Sequence, residues 1–132
     1  MEVRIVLDTN LLVASRWKRS SSSARILDLC IAGELKAVYT SQIKDENLFI
    51  LGKVKPPKDY LDKVLKFYGK SVKLEAGEKI TACPDPSDNR FLEAAVAGNA
   101  DYVITNDHHL LDLKEYEGIK IIRPGTFTRM LA

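Results

Sequence analysis

Val3-Arg4-Ile5-Val6-Leu7-Asp8-Thr9-Asn10 is a short apolar segment that ends in three polar residues. Its apolar part, residues 3–7, is rich in β-branched side chains, which is typical of a buried strand. The polar residues that follow favour the start of a helix, with Asn10 or Thr9 as the capping residue. The segment therefore predicts a strand that ends in an aspartate beside the beginning of a helix.

The same alternation of strand and helix continues along the chain. Further strands are predicted at 36–39, 72–74, 102–104 and 119–122, and helices at 11–14, 23–32, 41–54, 59–68, 88–97 and from 124 onward. Strands that alternate with helices favour a parallel sheet covered on both faces. We therefore expect an α/β fold, a three-layer sandwich with a mostly parallel central sheet of four or five strands. A chain of 132 residues fits one domain, residues 1–132.

The composition is that of an ordinary globular protein, with 45% apolar and 29% charged residues. Unbroken apolar runs reach only four residues, as in Leu48-Phe49-Ile50-Leu51. A membrane span needs about 20 residues, so we expect no membrane association and a cytoplasmic location. Cys30 and Cys83 lie far apart in the sequence and are expected to be free, buried thiols.

Charge is unevenly distributed along the chain. Residues 85–117 contain eight acidic residues against only Arg90 and Lys114, whereas residues 53–84 contain eight lysines against four acidic residues. An acidic site framed by positive surface suits a metal-assisted reaction on a polyanion. The alternative is a set of solvated helix faces with no common function.

Acidic side chains occur where the predicted strands end and where one helix begins. Asp8 and Asp107 each follow a strand, and the carboxyl ends of neighbouring parallel strands form the ligand-binding edge of such a sheet. Either residue could instead be a local turn or cap. Asp88 lies three residues after the helix cap Asp85, so it either stabilises the helix dipole or points into the same cleft.

Glu46 lies on the predicted helix 41–54, beside an inward stripe that we assign to Ile43, Ile50 and Val54. Asn47 falls within that stripe. A carboxylate turned partly inward needs a partner, which could be an arginine, a backbone cap or a metal. Four carboxylates in one cleft repel one another unless some are protonated or a cation lies between them. An all-oxygen ligand set indicates Mg²⁺, with Mn²⁺ able to substitute.

Four short motifs in order give the chain a resemblance to the PIN domain family, a nuclease fold that includes the VapC-like toxins of toxin–antitoxin systems. The resemblance runs from Val3 to about Thr126. The motifs are Val6-Leu7-Asp8-Thr9-Asn10, Ser41 with Glu46 five residues later, Asp85-Pro86-Ser87-Asp88-Asn89-Arg90-Phe91-Leu92-Glu93-Ala94-Ala95, and Ala100-Asp101-Tyr102-Val103-Ile104-Thr105-Asn106-Asp107 followed by Leu110-Leu111. Two positions depart from the pattern: Asn106, where glycine is common, and His109, where many relatives have a further acid.

The resemblance implies a metal-dependent endoribonuclease that hydrolyses RNA phosphodiester bonds. It also implies a cognate antitoxin protein that restrains the activity, and a homodimer. The implied catalytic and metal-binding residues are Asp8, Glu46, Asp88 and Asp107, with Asn10 and Thr105 as supporting polar groups. Two other classes stay open: a phosphoacceptor signalling domain, and a non-catalytic RNA- or protein-binding module that keeps the acidic pocket.

Three further groups are candidate contacts. Arg16, Trp17, Lys18 and Arg19 combine an aromatic ring with cations, which suits single-stranded RNA, although Trp17 could equally anchor a loop or face a partner. Arg90 could orient a phosphate or pair with Asp88 or Glu93. Adjacent side chains in a turn rarely meet at one ion, so His108 and His109 are expected on the surface or in loop packing, with His109 also able to contact a phosphate.

Overall fold

The structure is a computed structural model and describes residues 2–131. Strands cover β1 (Arg4–Leu7), β2 (Lys36–Thr40), β3 (Val72–Leu74), β4 (Tyr102–Ile104), β5 (Glu115–Tyr116) and β6 (Ile119–Ile122). Helices cover α1 (Thr9–Ala14), α2 (Ser22–Ile31), α3 (Ser41–Val54), α4 (Lys58–Lys70), α5 (Pro86–Ala97), α6 (His108–Leu111) and α7 (Pro124–Leu131).

The strands form one sheet in the order β3-β2-β1-β4-β6-β5. Every neighbouring pair is parallel except β5 with β6, which is antiparallel. The predicted fold class is confirmed. The prediction of four or five strands missed the edge strand β5, because a pair of residues carries no detectable periodicity. β1 is central, and the chain leaves it toward β2 on one side and returns beside it as β4 on the other.

Two apolar cores lie on opposite faces of the sheet. Along β1, Ile5 and Leu7 point into one core with α1, α2, α4 and α7, while Val6 points into the other with α5 and α6. This alternation follows from the two-residue period of a strand. Helix α3 spans the end of the sheet, since Leu51 belongs to the first core and Ile43 to the second.

The predicted cap of the first helix is wrong. Asp8, not Asn10 or Thr9, caps α1, because its carboxylate accepts a hydrogen bond from the backbone N–H of Asn10. Thr40 caps α3 by accepting a hydrogen bond from the N–H of Ile43. The side chains of Asp8 and Thr40 are thereby fixed at the points where strands become helices.

The inward face of α3 also differs from the prediction. Its buried residues are Ile43, Asn47 and Leu51, which are spaced four apart, whereas Ile50 is exposed. The burial of Asn47 is confirmed, because its amide is held by Tyr68 and by the carbonyl of Thr9. The helix is therefore rotated relative to the predicted stripe, and Glu46 is turned toward solvent.

Smaller differences fall in the connections. Between the predicted helices 11–14 and 23–32 lies a 3₁₀ turn at Ser15–Trp17, and α2 begins at Ser22, one residue earlier than predicted. Cys30 and Cys83 are free and buried, as expected. Within the described residues, no helix has the length and apolar character that crossing a membrane requires.

Candidate active site

The carboxyl ends of β1 and β4 lie side by side, and polar residues follow each of them. Leu7 on β1 pairs with Ile104 on β4, and the N–H of Asp8 donates to the carbonyl of Ile104 at 2.9 Å. Thr105 and Asp107 follow β4 directly. Parallel pairing thus places Asp8 beside residues almost a hundred positions later in the chain.

Asp8 is a buried carboxylate with two hydrogen-bond donors. It is 2% exposed. Thr105 Oγ1 donates to Asp8 Oδ2 at 2.6 Å, and the backbone N–H of Asn10 donates to Oδ1 at 2.9 Å. Burial raises the pKa of Asp8 even though both hydrogen bonds favour the charged form. The carboxylate is therefore held in one orientation but lacks a compensating positive charge among these contacts.

Thr105 also connects Asp8 to Asp107. Its hydroxyl oxygen accepts the backbone N–H of Asp107 at 2.9 Å. The side chain of Asp107 accepts the N–H of His109 at 2.9 Å, which caps α6. The negative charge of Asp107 contributes to the raised pKa of Asp8, as expected for two nearby carboxylates. One buried threonine thus fixes two acidic residues from different strands.

Asp88 joins this pair from the first turn of α5. Asp85 caps that helix by accepting the N–H of Ser87 at 2.9 Å, which leaves Asp88 free to face Asp107. Burial, a hydrogen bond to Asp107 and nearby negative charges raise the pKa of Asp88 to about 6. Burial also opposes ionisation of Asp107, but the His109 N–H and the Asp88 side chain outweigh it and lower the pKa of Asp107. Asp88 is therefore the member of this pair that keeps its proton to higher pH, and Asp107 ionises first.

Glu46 lies against Arg90 instead of contacting the three aspartates. The two side chains form an ion pair between α3 and α5, and half of the Glu46 side chain is exposed. Arg90 follows Asp88 by two residues on α5, and residues two apart on a helix do not face the same side, so the ion pair lies apart from the three aspartates. Of the four predicted acids, the structure brings Asp8, Asp88 and Asp107 together and gives Glu46 an arginine partner. We call the three aspartates the acidic pocket.

Residues 4–109 match the family model of the PIN domain. The chain belongs to the PIN domain family. The matched range includes β1, α3, the first turn of α5 and the end of β4, which are the elements that carry the acidic pocket and Glu46.

Two solved structures have a similar fold. VapBC2 from Rickettsia felis, solved bound to a DNA fragment from its promoter, is 17% identical with a TM-score of 0.62 and covers 92% of this chain and 98% of its own. PAE2754 from Pyrobaculum aerophilum is also 17% identical, with a TM-score of 0.64. The alignment covers 98% of this chain and 89% of PAE2754. A search of curated proteins found no match.

In this PIN domain, the two residues predicted as supporting polar groups, Thr105 and Asn10, contact Asp8 in different ways. The side chain of Thr105 is fully buried and touches Asp8, whereas Asn10 is exposed and reaches Asp8 through its backbone N–H. Among the candidate RNA contacts, Arg16 donates to the carbonyl of Val13 at 2.7 Å. Arg19 forms an ion pair with Asp59 of α4.

Trp17 is 66% exposed, so it does not anchor a loop. Lys18 beside it is exposed as well. These two side chains project from the 3₁₀ turn after α1 and are the members of the candidate group with a free surface. Arg16 and Arg19 are by contrast engaged in contacts within the chain.

Sequence reasoning missed the clamp formed by Asn89. Its side chain accepts the N–H of Cys83 at 2.7 Å and donates to the carbonyl of Cys83 at 2.9 Å, so it holds the segment before α5 against the helix. Asn89 adjoins Asp88 in the third motif, which was the available signal. The clamped segment forms one wall of a groove of about 670 Å³ that is lined by Gln42, Lys79, Ile80, Pro84, Arg90 and Glu93, among others.

Proposed function

We propose that this PIN domain is a metal-dependent endoribonuclease that hydrolyses RNA phosphodiester bonds and serves as the toxin of a toxin–antitoxin pair. PIN domains are typically nucleases, and the single observation that carries the proposal is the convergence of Asp8, Asp88 and Asp107. In this proposal residues 1–132 form one nuclease domain, and Glu46 completes the catalytic set when Arg90 releases it.

The acidic pocket fits a divalent cation. Burial and the negative charges of Asp107 and Asp8 raise the pKa of Asp88, and a cation bound among the three carboxylates would offset their repulsion. Carboxylate oxygens are the ligands that Mg²⁺ and Mn²⁺ prefer. Asp8, Asp88 and Asp107 would hold the ion, which when bound supplies an activated water and neutralises charge on the phosphate.

The side chains of the pocket have separate tasks in this proposal. Asp8 is oriented by Thr105 and by the Asn10 N–H, so it needs no rearrangement to present an oxygen. Asp88, whose pKa is raised to about 6 in the metal-free protein, would give up its proton when the cation binds. Arg90 lines the groove beside α5, where its guanidinium can pair with a phosphate in place of Glu46.

RNA has a path along the groove beside α5. Lys79 and Arg90 supply positive charge, while Ile80 and Pro84 supply apolar surface for a base. Phosphate contacts position a strand without selecting its sequence. In this proposal the groove holds a single-stranded substrate beside α5, the helix that carries Asp88.

The test compares Asp88→Asn and Asp8→Asn with Asp45→Asn, an exposed neighbour of Glu46 on α3. All proteins are purified identically and incubated with a pool of cellular RNAs and Mg²⁺, with EDTA as the metal-free arm. We expect both pocket variants to lose about 100-fold or more in cleavage rate, as when one electrostatic stabiliser is removed. Asp45→Asn should cleave like the wild type. Equal cleavage by all four proteins would disprove the assignment.

An antitoxin partner and a homodimer complete the proposal. They are supported by the family and by the likeness to VapBC2. Light scattering after gel filtration of the isolated chain tests the dimer: a mass of about twice 14.8 kDa supports it, and a mass near 14.8 kDa rejects it.

A further inference from the structure

Three side chains that can bind metal follow one another at the rim of the acidic pocket: Asp107, His108 and His109. One ligand atom from each lies within 4.8 Å of those from the other two. His109 Nδ1 is 3.4 Å from Asp107 Oδ1. The two imidazole rings lie side by side, with centroids 4.2 Å apart and planes inclined by 35°. The side chains therefore converge, contrary to the expectation for neighbours in a turn.

The spacing suits a small tetrahedral ion. With bonds of about 2.0–2.1 Å, two ligand atoms of tetrahedral zinc lie about 3.3 Å apart. The Asp107–His109 separation of 3.4 Å already meets that requirement. His108 and His109 are exposed, so their rings can rotate to close the remaining distance, and water can fill a fourth position.

The backbone under these ligands is fixed. The N–H of Asp107 donates to buried Thr105, and the N–H of His109 donates to Asp107. Asp88 lies in hydrogen-bond contact with Asp107, which adds negative potential beside the imidazoles. A cation at this position therefore meets a prearranged carboxylate and a favourable field.

We propose that Asp107, His108 and His109 form a binding site for a divalent transition metal of the Zn²⁺ type. Imidazole nitrogen favours such ions, whereas Mg²⁺ prefers an all-oxygen shell. The site shares Asp107 with the acidic pocket but does not require that the protein cleaves RNA. It assigns His109 a ligand role at the position where many relatives of this PIN domain carry an acid.

The test uses the tag-free, metal-free full chain and compares the wild type with His108→Gln, His109→Gln and the double variant. Asp112→Asn, an exposed acid of the same segment, is the matched control. Zn²⁺ affinity is measured by calorimetry, and Co²⁺ is titrated while visible absorption and the imidazole proton resonances are followed. Circular dichroism checks that every variant is folded.

We expect Co²⁺ to shift the resonances of both histidines and each single variant to lose about tenfold or more in Zn²⁺ affinity, with Asp112→Asn unchanged. Equal Zn²⁺ affinity of the wild type and the double variant would overturn the inference, as would no Zn²⁺ binding by the wild type. RNA cleavage in Mg²⁺ is measured separately with the Asp88→Asn comparison. Cleavage without histidine ligation rejects only this inference, and histidine ligation without cleavage rejects only the proposed function.

Discussion

Thr105 donates a hydrogen bond from Oγ1 to Asp8 Oδ2 at 2.6 Å, and the two residues lie 97 positions apart in the chain. The same hydroxyl accepts the N–H of Asp107. The hydroxyl thus fixes one acid through its side chain and the other through its backbone. Replacing Thr105 with valine, which has the same shape but no hydroxyl, isolates the contribution of the hydroxyl group.

Thr105→Val should therefore weaken both the fold and the pocket. The carboxylate of Asp8 and the N–H of Asp107 lose a buried partner, which costs about 1–3 kcal/mol in free energy of unfolding. The affinity for Mn²⁺ should fall as well, since no hydroxyl at position 105 then orients the Asp8 carboxylate. Urea denaturation and calorimetry measure the two effects. Thr105→Ser keeps the hydroxyl and should stay near the wild type, and equal losses in both variants would contradict this explanation.

The proton on Asp88 predicts a pH dependence of the metal-free protein. Its pKa is raised from 3.8 to about 6, so the folded state binds this proton more tightly than the unfolded chain. The free energy of unfolding in EDTA should therefore decrease as pH rises from about 4 to about 6. Urea denaturation at several pH values measures the slope.

Asp88→Asn removes this titrating group, so the decrease should flatten, while Asp45→Asn should keep the wild-type slope. Saturating Mg²⁺ should reverse the decrease above pH 6, because the cation replaces the proton. A slope in EDTA that is identical in Asp88→Asn and the wild type would show that another group holds the proton.

The ion pair between Glu46 and Arg90 predicts an effect on metal affinity. Arg90→Gln removes a positive charge from α5 and releases Glu46, so Mn²⁺ should bind more tightly. One unit charge acting on a divalent ion across solvent is worth about 1 kcal/mol, or about fivefold in affinity. Calorimetry measures the Mn²⁺ affinity, and Arg25→Gln on α2 is the control for the change in net charge. An unchanged or weaker affinity in Arg90→Gln would show that Glu46 does not reach the ion.

Gly98 lies at the end of α5, where neighbouring side chains leave no space for a Cβ. A Cβ there would lie 2.8 Å from Leu74 Cδ1 and 2.9 Å from Val38 Cγ2. Gly98→Ala should therefore lower the free energy of unfolding by about 1–3 kcal/mol. Gly52→Ala on α3 meets nothing within 4 Å and should raise it by about 0.5–1 kcal/mol. Urea denaturation of both variants measures the two changes in free energy of unfolding. Changes of the same sign in both variants would refute the explanation.

The sequence was sufficient to predict the fold class and the ends of strands β1 and β4, because apolar periodicity and flanking polar residues are local signals. It could not predict the partner of Glu46. That partner depends on the rotation of α3, which is set by a buried amide, Asn47, whose hydrogen bonds to Tyr68 and Thr9 come from distant segments. The convergence of His108 and His109 was also missed, since it depends on the turn that Asp107 caps.

The pairing of β1 with β4 has a consequence for the time at which the pocket forms during translation. A nascent chain whose residues beyond about 100 are still inside the ribosome has exposed Asp8 and Asp88, but it has neither Thr105 nor Asp107 to fix them. The segment with Thr105 and Asp107 must emerge before the three aspartates can meet. The acidic pocket therefore forms only after β4 has been synthesised and has paired with β1.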